Sequence, residues 1–480
     1  MNEKTLKKPS FGISVVIIAF LFVVIIAQLV LGYSPEIHLT LVFSIAFAVI
    51  LLMATGTKWA QIEEGILHGC KIATVPMLIL MFIGLLIPML IACGTIPSLI
   101  YYGLKIISPS VFLVTACVVC SVSAICIGSS WTTAATFGVA FMGISVGLGI
   151  PAPITAGAVI SGAVLGDKLS PMSDSTNLAA GVCEANLFDH VRAMVYTTVP
   201  AYVISLVLYA IIGSKYSASN MDMESVNEIL GAIEANFDID ALHVIISLLP
   251  LVLIVVLAAK QVSALAIMVV GSLFAMLIAV ITQGYNLYDL MVYMNNGFSM
   301  ETGSDIVDSL VNRGGIQSMM WTLSLGYLGL SYGGILEKCL VMEAILDKME
   351  RLTRTPRGLV ITHNITSVVV NFLSGSQYVA IIIPGRMYLP AYDKLNLQRR
   401  LASRTCEDSG TVTSQLVPWG LCGVFYLGAL GVSAWDYAPY TFLCYLTPII
   451  AILCTCFKMF LWEKTPEEAA AVAKENEANA

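Results

Sequence analysis

The chain has 480 residues, 58% hydrophobic and 11% charged, with a formal net charge of −7 and a mean hydropathy of +0.87. A soluble domain carries roughly 25% charged residues, so this chain cannot cover a water-facing surface of its own size and a lipid bilayer must be part of its solvent. No basic stripe is present, which excludes nucleic acid as a partner.

The elements follow in chain order. Lys4, Lys7 and Lys8 precede an apolar run over 13–31 that is longer than a signal-peptide core and lacks a small-residue cleavage motif, so it reads as an uncleaved first span. A span needs about 20 apolar residues. Full crossings are expected near 13–32, 37–55, 72–93, 152–185, 193–213, 242–258, 262–283, 315–337, 406–431 and 438–457. Two further apolar stretches, 108–146 and 358–391, are each interrupted by a polar, glycine-containing knot: Gly128 to Thr133 and Ser374 to Tyr378. Both read as helical hairpins that enter and leave on one side. The twelve cysteines lie scattered in apolar runs, and Cys117 and Cys120 have CxxC spacing without a second pair, so buried thiols are expected rather than a metal site.

The positive-inside rule orients these spans. It places Lys4 to Lys8, Lys58, Lys71, Lys348, Arg351, Arg354, Arg357, Lys394, Arg399, Arg400, Arg404 and the tail from Lys458 inside, and the acidic loop 214–241, including Asp222 and Glu234, outside. Both termini are then cytoplasmic, in a multi-pass protein of a bacterial inner membrane. The acidic, alanine-rich tail reads as a frayed helix.

Features recur in the same order in two parts of the chain. A glycine-rich span, a hairpin and a polar segment beginning at Gly166 are followed later by a glycine-rich span (Gly326 to Gly334), a hairpin and a polar segment beginning at Cys406. Asp167 is matched with Glu407, Ser170 with Gly410 and Ser173 with Thr413. The charge map sends the first spans of the two parts in opposite directions. The expected architecture is an all-α membrane protein, an inverted-repeat secondary transporter with two hairpins and two broken helices. Its parts are N-terminal spans (1–70), a first repeat (71–213), an external acidic loop with linking spans (214–314), a second repeat (315–457) and a cytoplasmic tail (458–480).

Irregular backbone at membrane depth is tolerated only inside protein or against a watery cavity, and ionisable residues there are usually functional. Asp167, Asp174, Glu407 and Asp408 fall in such stretches, among Ser170, Ser173, Ser175, Thr176, Asn177, Thr411, Thr413 and Ser414. A small hard cation such as sodium takes oxygen ligands of these kinds. Asp174 is the first choice for a carboxylate that holds either a proton or a cation, and Asp174, Ser173, Thr176 and Thr413 form a candidate sodium set. Asp167 and Glu407 have a second reading, as helix caps. Ser129, Ser130, Thr132 and Thr133 in the first knot, with Asn371, Ser376 and Gln377 in the second hairpin, either cap half-helices or face the cargo.

Other features read as structural. His363 and Asn364 suit an interfacial polar pair, Glu337 and Lys338 an ion pair, and Arg386 a snorkelling cation or a contact for an anionic substrate. Gly329 to Gly333 matches GxSxG, but close helix packing explains its glycines better. The five histidines lack HExxH spacing and no nucleotide-binding loop occurs, so the chain is not expected to be an enzyme. No symmetric filter motif suggests a channel.

The segments GDKLSPMSDSTNL (166–178), GSSWTTAATFG (128–138) and EDSGTVTSQLVPW (407–419) resemble the NhaC family of Na+/H+ antiporters over nearly the whole chain. The resemblance implies an ion-transporter fold and sodium-coupled antiport, with sodium and protons as cargo and no organic cofactor. That family includes sodium-coupled malate/lactate antiporters, so a small organic acid or amino acid is the alternative cargo. Members often carry Asp where this chain has Ser376, and Asn-Thr where it has Gly420 and Leu421. That departure leaves room for an organic solute. The oligomeric state stays open between monomer and homodimer.

Overall fold

A computed structural model describes residues 8–31, 36–216, 223–349 and 352–465. Lys4, Lys7, Asp222, Arg351 and the tail beyond 465 lie outside the described residues. The described residues are helical, with one isolated β-bridge between Leu397 and Glu463. Among the described residues seven helices are long and apolar enough to cross a membrane, or eight if a pair bent by 56° counts as one span.

The first half contains α1 (Phe11–Val30), α2 (Ile37–Ala54), α3 (Trp59–Ala92), α4 (Thr95–Ile106), α5 (Pro109–Ile127), α6 (Ser130–Thr133), a π turn (Ala134–Gly138), α7 (Val139–Gly147), α8 (Ala152–Leu169), α9 (Asp174–Val182) and α10 (Leu187–Gly213). The linking region holds α11 (Met223–Asn236), α12 (Ala241–Ser247), α13 (Leu249–Ala259), α14 (Ala264–Thr282), α15 (Leu287–Asn296) and α16 (Asp305–Val311). The remainder is α17 (Ile316–Lys338), α18 (Val341–Met349), α19 (Pro356–Ser374), α20 (Gln377–Lys394), α21 (Arg399–Cys406) continued by a π turn (Glu407–Thr411), α22 (Leu421–Leu430), α23 (Ala434–Tyr437) and α24 (Phe442–Cys456).

Several boundaries correct the sequence reading. The span expected at 72 begins at Trp59, because its first turns carry Glu63, Glu64, His68 and Lys71 and fall below any hydropathy threshold while remaining helical. The crossing expected at 406–431 begins at Arg399 and breaks at 417–420, so Glu407 and Asp408 lie within a continuous, locally widened helix. The crossing 152–185 is two helices separated at 170–173, with Asp167 in the last turn of α8 and Asp174 opening α9. The acidic, alanine-rich end expected to be a frayed helix lies outside the described residues; the described part of the tail, to residue 465, is not helical. It folds back so that Gln398 N donates to the Trp462 carbonyl (2.9 Å) and Lys464 N to that of Asn396 (2.8 Å).

Both stretches fold back on themselves at their knots. Phe112 meets Phe141 across the first, and in the second the His363 ring bonds the Tyr392 hydroxyl (3.1 Å) and Thr366 that of Tyr388 (2.8 Å). Each knot turns on a glycine with positive φ, Gly128 (75°) and Gly375 (66°), a conformation a Cβ would strain. Each knot also meets a helix break: Gly128 packs on Met172, and the Gly375 carbonyl accepts from Leu421 N (2.6 Å).

The element boundaries repeat at a constant separation. Pro109 and Pro356, Gly128 and Gly375, Ala152 and Arg399, and the N-caps Asn186 and Ser433 each lie 247 residues apart. In this register Asp167 corresponds to Ser414, Ser170 to Val417 and Ser173 to Gly420. The earlier matching of Asp167 with Glu407, Ser170 with Gly410 and Ser173 with Thr413 followed residue likeness and missed the register by seven residues, two helical turns.

Between the halves, α3 and α17 run antiparallel with backbones in contact. A Cβ on Gly65 would stand 2.9 Å from the Gly334 carbonyl oxygen, on Gly69 2.0 Å from that of Leu330, and on Gly84 2.8 Å from that of Gly315. Gly315 N donates to the Gly84 carbonyl (2.7 Å). The GxSxG glycines also serve packing: Gly329 abuts the Trp419 carbonyl and Gly333 that of Ser374.

Candidate functional site

The first hairpin's second arm starts as a half-helix whose orphan N–H groups need partners. Ser129 caps it by accepting from Thr132 N (3.2 Å), and Thr133 Oγ1 donates to the Ser129 carbonyl (3.0 Å). The Asp167 carboxylate reaches the same end, accepting from Ser130 N (2.8 Å) and from the Ser130 hydroxyl. The Asp167 carbonyl at the α8 break accepts from Thr176 Oγ1 (2.5 Å) and Ser175 Oγ (3.3 Å). Asp167 thus acts as a cap, fastening hairpin to broken helix, and Thr176 closes the break.

Asp174 is exposed and lines two cavities. The smaller, of about 310 Å³, lies between the hairpin tips and is bounded by Ser129, Ser130, Asp167, Ser173, Gln377 and Tyr378. The other, of about 600 Å³, adds Thr132 and Asn177 and reaches the α13–α14 turn at Gln261. The Asn177 amide itself donates to the Pro171 and Ser173 carbonyls. Of the candidate sodium set, Ser173 and Asp174 share a cavity, but Thr176 and Thr413 line neither. Thr413 instead accepts from Asn371 Nδ2 (2.9 Å) and donates to the Ser409 carbonyl (2.6 Å). Those four residues do not form one coordination shell.

The second hairpin is tied to the π turn by polar bonds. Asn371 Nδ2 donates to the Gly410 carbonyl (2.5 Å), and Ser409 Oγ to Asn364 Oδ1 (2.5 Å). At the corresponding places of the first half, 247 residues earlier, Ala124 packs on Gly166 and Cys117 on Gly162. His363 and Asn364 are fully buried, contrary to an interfacial placement, and the His363 ring also contacts Cys406 Sγ (3.3 Å). Gln377 accepts from Cys422 Sγ (3.4 Å), and the buried Ser376 hydroxyl has no partner. Glu337 pairs with His68 (3.3 Å), and Arg386 is exposed.

Two cations missed in the sequence stand at the centre. Lys168, fully buried, pairs with Asp408 and donates to Thr198 Oγ1 (2.8 Å). Arg404, also fully buried, holds the other Asp408 oxygen at 3.4 Å, and Thr197 Oγ1 donates to Asp408 Oδ1 (2.8 Å). Asp408 is therefore engaged by two cations rather than open to a third, and Arg404 is no flanking residue. The signal was present in the sequence: Lys168 follows Asp167 at the end of an apolar helix, where an unpaired ammonium would be costly. Glu407 is fully buried too, with the Ser175 and Thr411 hydroxyls beside it. Among the described residues no group of three His, Cys, Asp or Glu side chains is placed to hold a metal ion.

The sequence profile of the Na+/H+ antiporter family matches residues 4–176 and 162–459. The chain belongs to that family. Within the Na+/H+ antiporter family its relatives include the Na+/H+ antiporter NhaC of Alkalihalophilus pseudofirmus, 37% identical over 93% of this chain and 96% of that one. The malate-2H+/Na+-lactate antiporter of Bacillus subtilis is 36% identical over 93% and 95%. The arginine/ornithine antiporter ArcD of Halobacterium salinarum is 36% identical over 97% of each chain.

Proposed function

We propose that this chain is a secondary antiporter that exchanges sodium for protons across a bacterial inner membrane, with Asp174 as the carboxylate open to the aqueous side. The observation that carries the reading is Asp174 itself. It opens a half-helix at a break and faces a cavity walled by the tips of both hairpins. A carboxylate at such a place binds sodium or a proton, and each excludes the other. Ser173 adds a hydroxyl at the same wall, while Asp167 holds the first hairpin in place through Ser130.

The halves 71–213 and 315–457 act as inverted repeats in this reading. The constant spacing of their elements supports it, as does the antiparallel contact of α3 with its counterpart α17. In this reading both termini are cytoplasmic, which the positive-inside rule applied to the basic flanks supports. The test is sodium-driven proton movement in proteoliposomes. Wild type should acidify or alkalinise the lumen on a sodium jump, and Asp174→Asn should lose most of that response. Full exchange in Asp174→Asn would remove the assignment.

A second reading has its own support. Cavities of about 310 and 600 Å³ exceed what a bare ion needs, and relatives are named for malate/lactate and arginine/ornithine exchange. Solute counterflow with malate, lactate and arginine separates the two, since solutes that leave sodium flux unchanged would rule it out.

A further inference from the structure

A third cavity, sharing no lining residue with the two that Asp174 borders, lies where α3 ends, α17 begins and α22 ends. Its volume is about 440 Å³. Ile87, Met319 and Leu427 make one wall apolar, and Asn312, Arg313 and Ser318 make the other polar. Arg313 is half-buried there, and the one bond its guanidinium makes among the described residues is a long one, from Nη2 to the Ala429 carbonyl (3.5 Å). No carboxylate among the described residues pairs with it, and burial alone holds its pKa below the ordinary 12.5. Its backbone is fixed: the Arg313 carbonyl accepts from Phe298 N (3.1 Å), and a Cβ on the following Gly314 would stand 2.6 Å from the Pro88 ring. Gly315 then starts α17 with no side chain capping it, so the positive end of the helix dipole lies at the same wall. A held guanidinium beside an uncapped helix start calls for an oxyanion, which takes two parallel N–H bonds from arginine.

The surroundings narrow the kind of oxyanion. Trp321, also on the wall, is 56% exposed, and the His38 ring packs edge-on to it with 4.6 Å between centroids. His38 stands in the first turn of α2, a helix apolar enough to span, which turns Leu39, Val42 and Phe43 outward. A tryptophan near the start of a span marks the headgroup level of a bilayer. The groove therefore sits at the edge of the apolar belt, with one polar and one apolar wall. That lining fits an amphiphile; a small soluble anion has no use for the apolar side. In the positive-inside orientation this is the outer end of α17, where topology does not call for an arginine.

We propose that this groove binds the headgroup of an anionic phospholipid, with Arg313 on the phosphate and Met319, Leu427 and Trp321 against the glycerol and the first acyl carbons. The site goes beyond the antiport reading and does not depend on which cargo is carried. A lipid held there ties together the ends of α3, α17 and α22, so its removal loosens the contact between the two halves of the chain.

The test uses the full chain, delipidated in detergent, with dioctanoyl phosphatidylglycerol, dioctanoyl phosphatidylcholine, inorganic phosphate and malate titrated separately at constant ionic strength. Thermal unfolding reports binding, since only a ligand of the native state stabilises it. Wild type should reach half-saturation with phosphatidylglycerol at a concentration about tenfold lower than with phosphatidylcholine. Arg313→Met should lose that preference. Ser318→Glu, at an exposed position where a new carboxylate can take the guanidinium, should lose it too in a chain that keeps Arg313. Arg192→Met, which removes an exposed cation on α10, should behave as wild type. An equal response of wild type to the two lipids would overturn the proposal, and so would a preference unchanged in Ser318→Glu, which decides the matter even where Arg313→Met fails to fold. A loss in Arg192→Met as large as in Arg313→Met would reduce the binding to general charge and overturn it as well. Stabilisation by inorganic phosphate or malate at the concentrations where the lipid acts would assign the groove to a soluble anion instead.

Discussion

Lys168→Met and Asp408→Asn should damage the protein unequally, in an order set by the third member of the cluster. Breaking a fully buried ion pair by removing one partner costs about 3–5 kcal/mol, because the remaining charge is left uncompensated. No solvent screening reduces this here, since Lys168, Asp408 and Arg404 are all at 0% exposure. In Lys168→Met, Asp408 keeps Arg404 at 3.4 Å and the Thr197 hydroxyl at 2.8 Å, and only Thr198 loses a donor. The cost should fall near the low end, about 3 kcal/mol. In Asp408→Asn, two buried cations face one neutral amide, so the cost should reach about 5 kcal/mol. Apparent melting temperatures in detergent, followed by fluorescence-detected size exclusion, should rank wild type above Lys168→Met and both above Asp408→Asn. The reasoning fails if Lys168→Met is the more damaging, or if either variant melts with wild type.

Two further outcomes are expected. Gly69→Val should abolish folded protein, because its Cβ would lie 2.0 Å from the Leu330 carbonyl oxygen and overpacking against backbone costs more than the usual 1–3 kcal/mol or so; Gly12→Ala, with nothing within 4 Å, should express as wild type. Monodispersity of the purified variants checks both, and a well-behaved Gly69→Val would refute the contact. Asp308, between the spans, accepts from the Thr302 amide and hydroxyl (both 2.7 Å), which holds its carboxyl below the ordinary 3.8. A lowered folded value stabilises above the unfolded pKa and is lost as pH falls through the folded one, so the Thr302 amide should keep its exchange protection through the ordinary carboxylate range and lose it as the pH falls below that range. A flat profile would exclude the carboxylate as its cause.

Hydropathy carries most of the spans into view, because lipid-facing helices must be apolar along about 20 residues. It fails where a helix is polar yet covered by protein. The first turns of α3 are charged and end against α17, and α21 begins Arg399-Arg400, which looks like a cytoplasmic loop. The knots were legible because glycine and hydroxyls in an apolar run have few other uses. Asp174 and Ser173 were found in one cavity for the same reason. Partner identity was not legible: Lys168, Asp408 and Arg404 are brought together only by tertiary packing, across 240 residues in the case of the first two. The pairing of Asp167 with Glu407 shows the hazard of matching residues by chemistry, since helix starts and caps give a different alignment.

The contact of α3 with α17 has a mechanical consequence. Where two backbones touch through glycines and share a hydrogen bond, there is no side-chain layer to shear, and any slide of one rod along the other would drive carbonyl into Cα. That pair is an axle. In the antiport proposal, movement that opens one face and shuts the other would be made by the parts hung around it, the two hairpins and the fractured rods beside them, about a line that itself stays still.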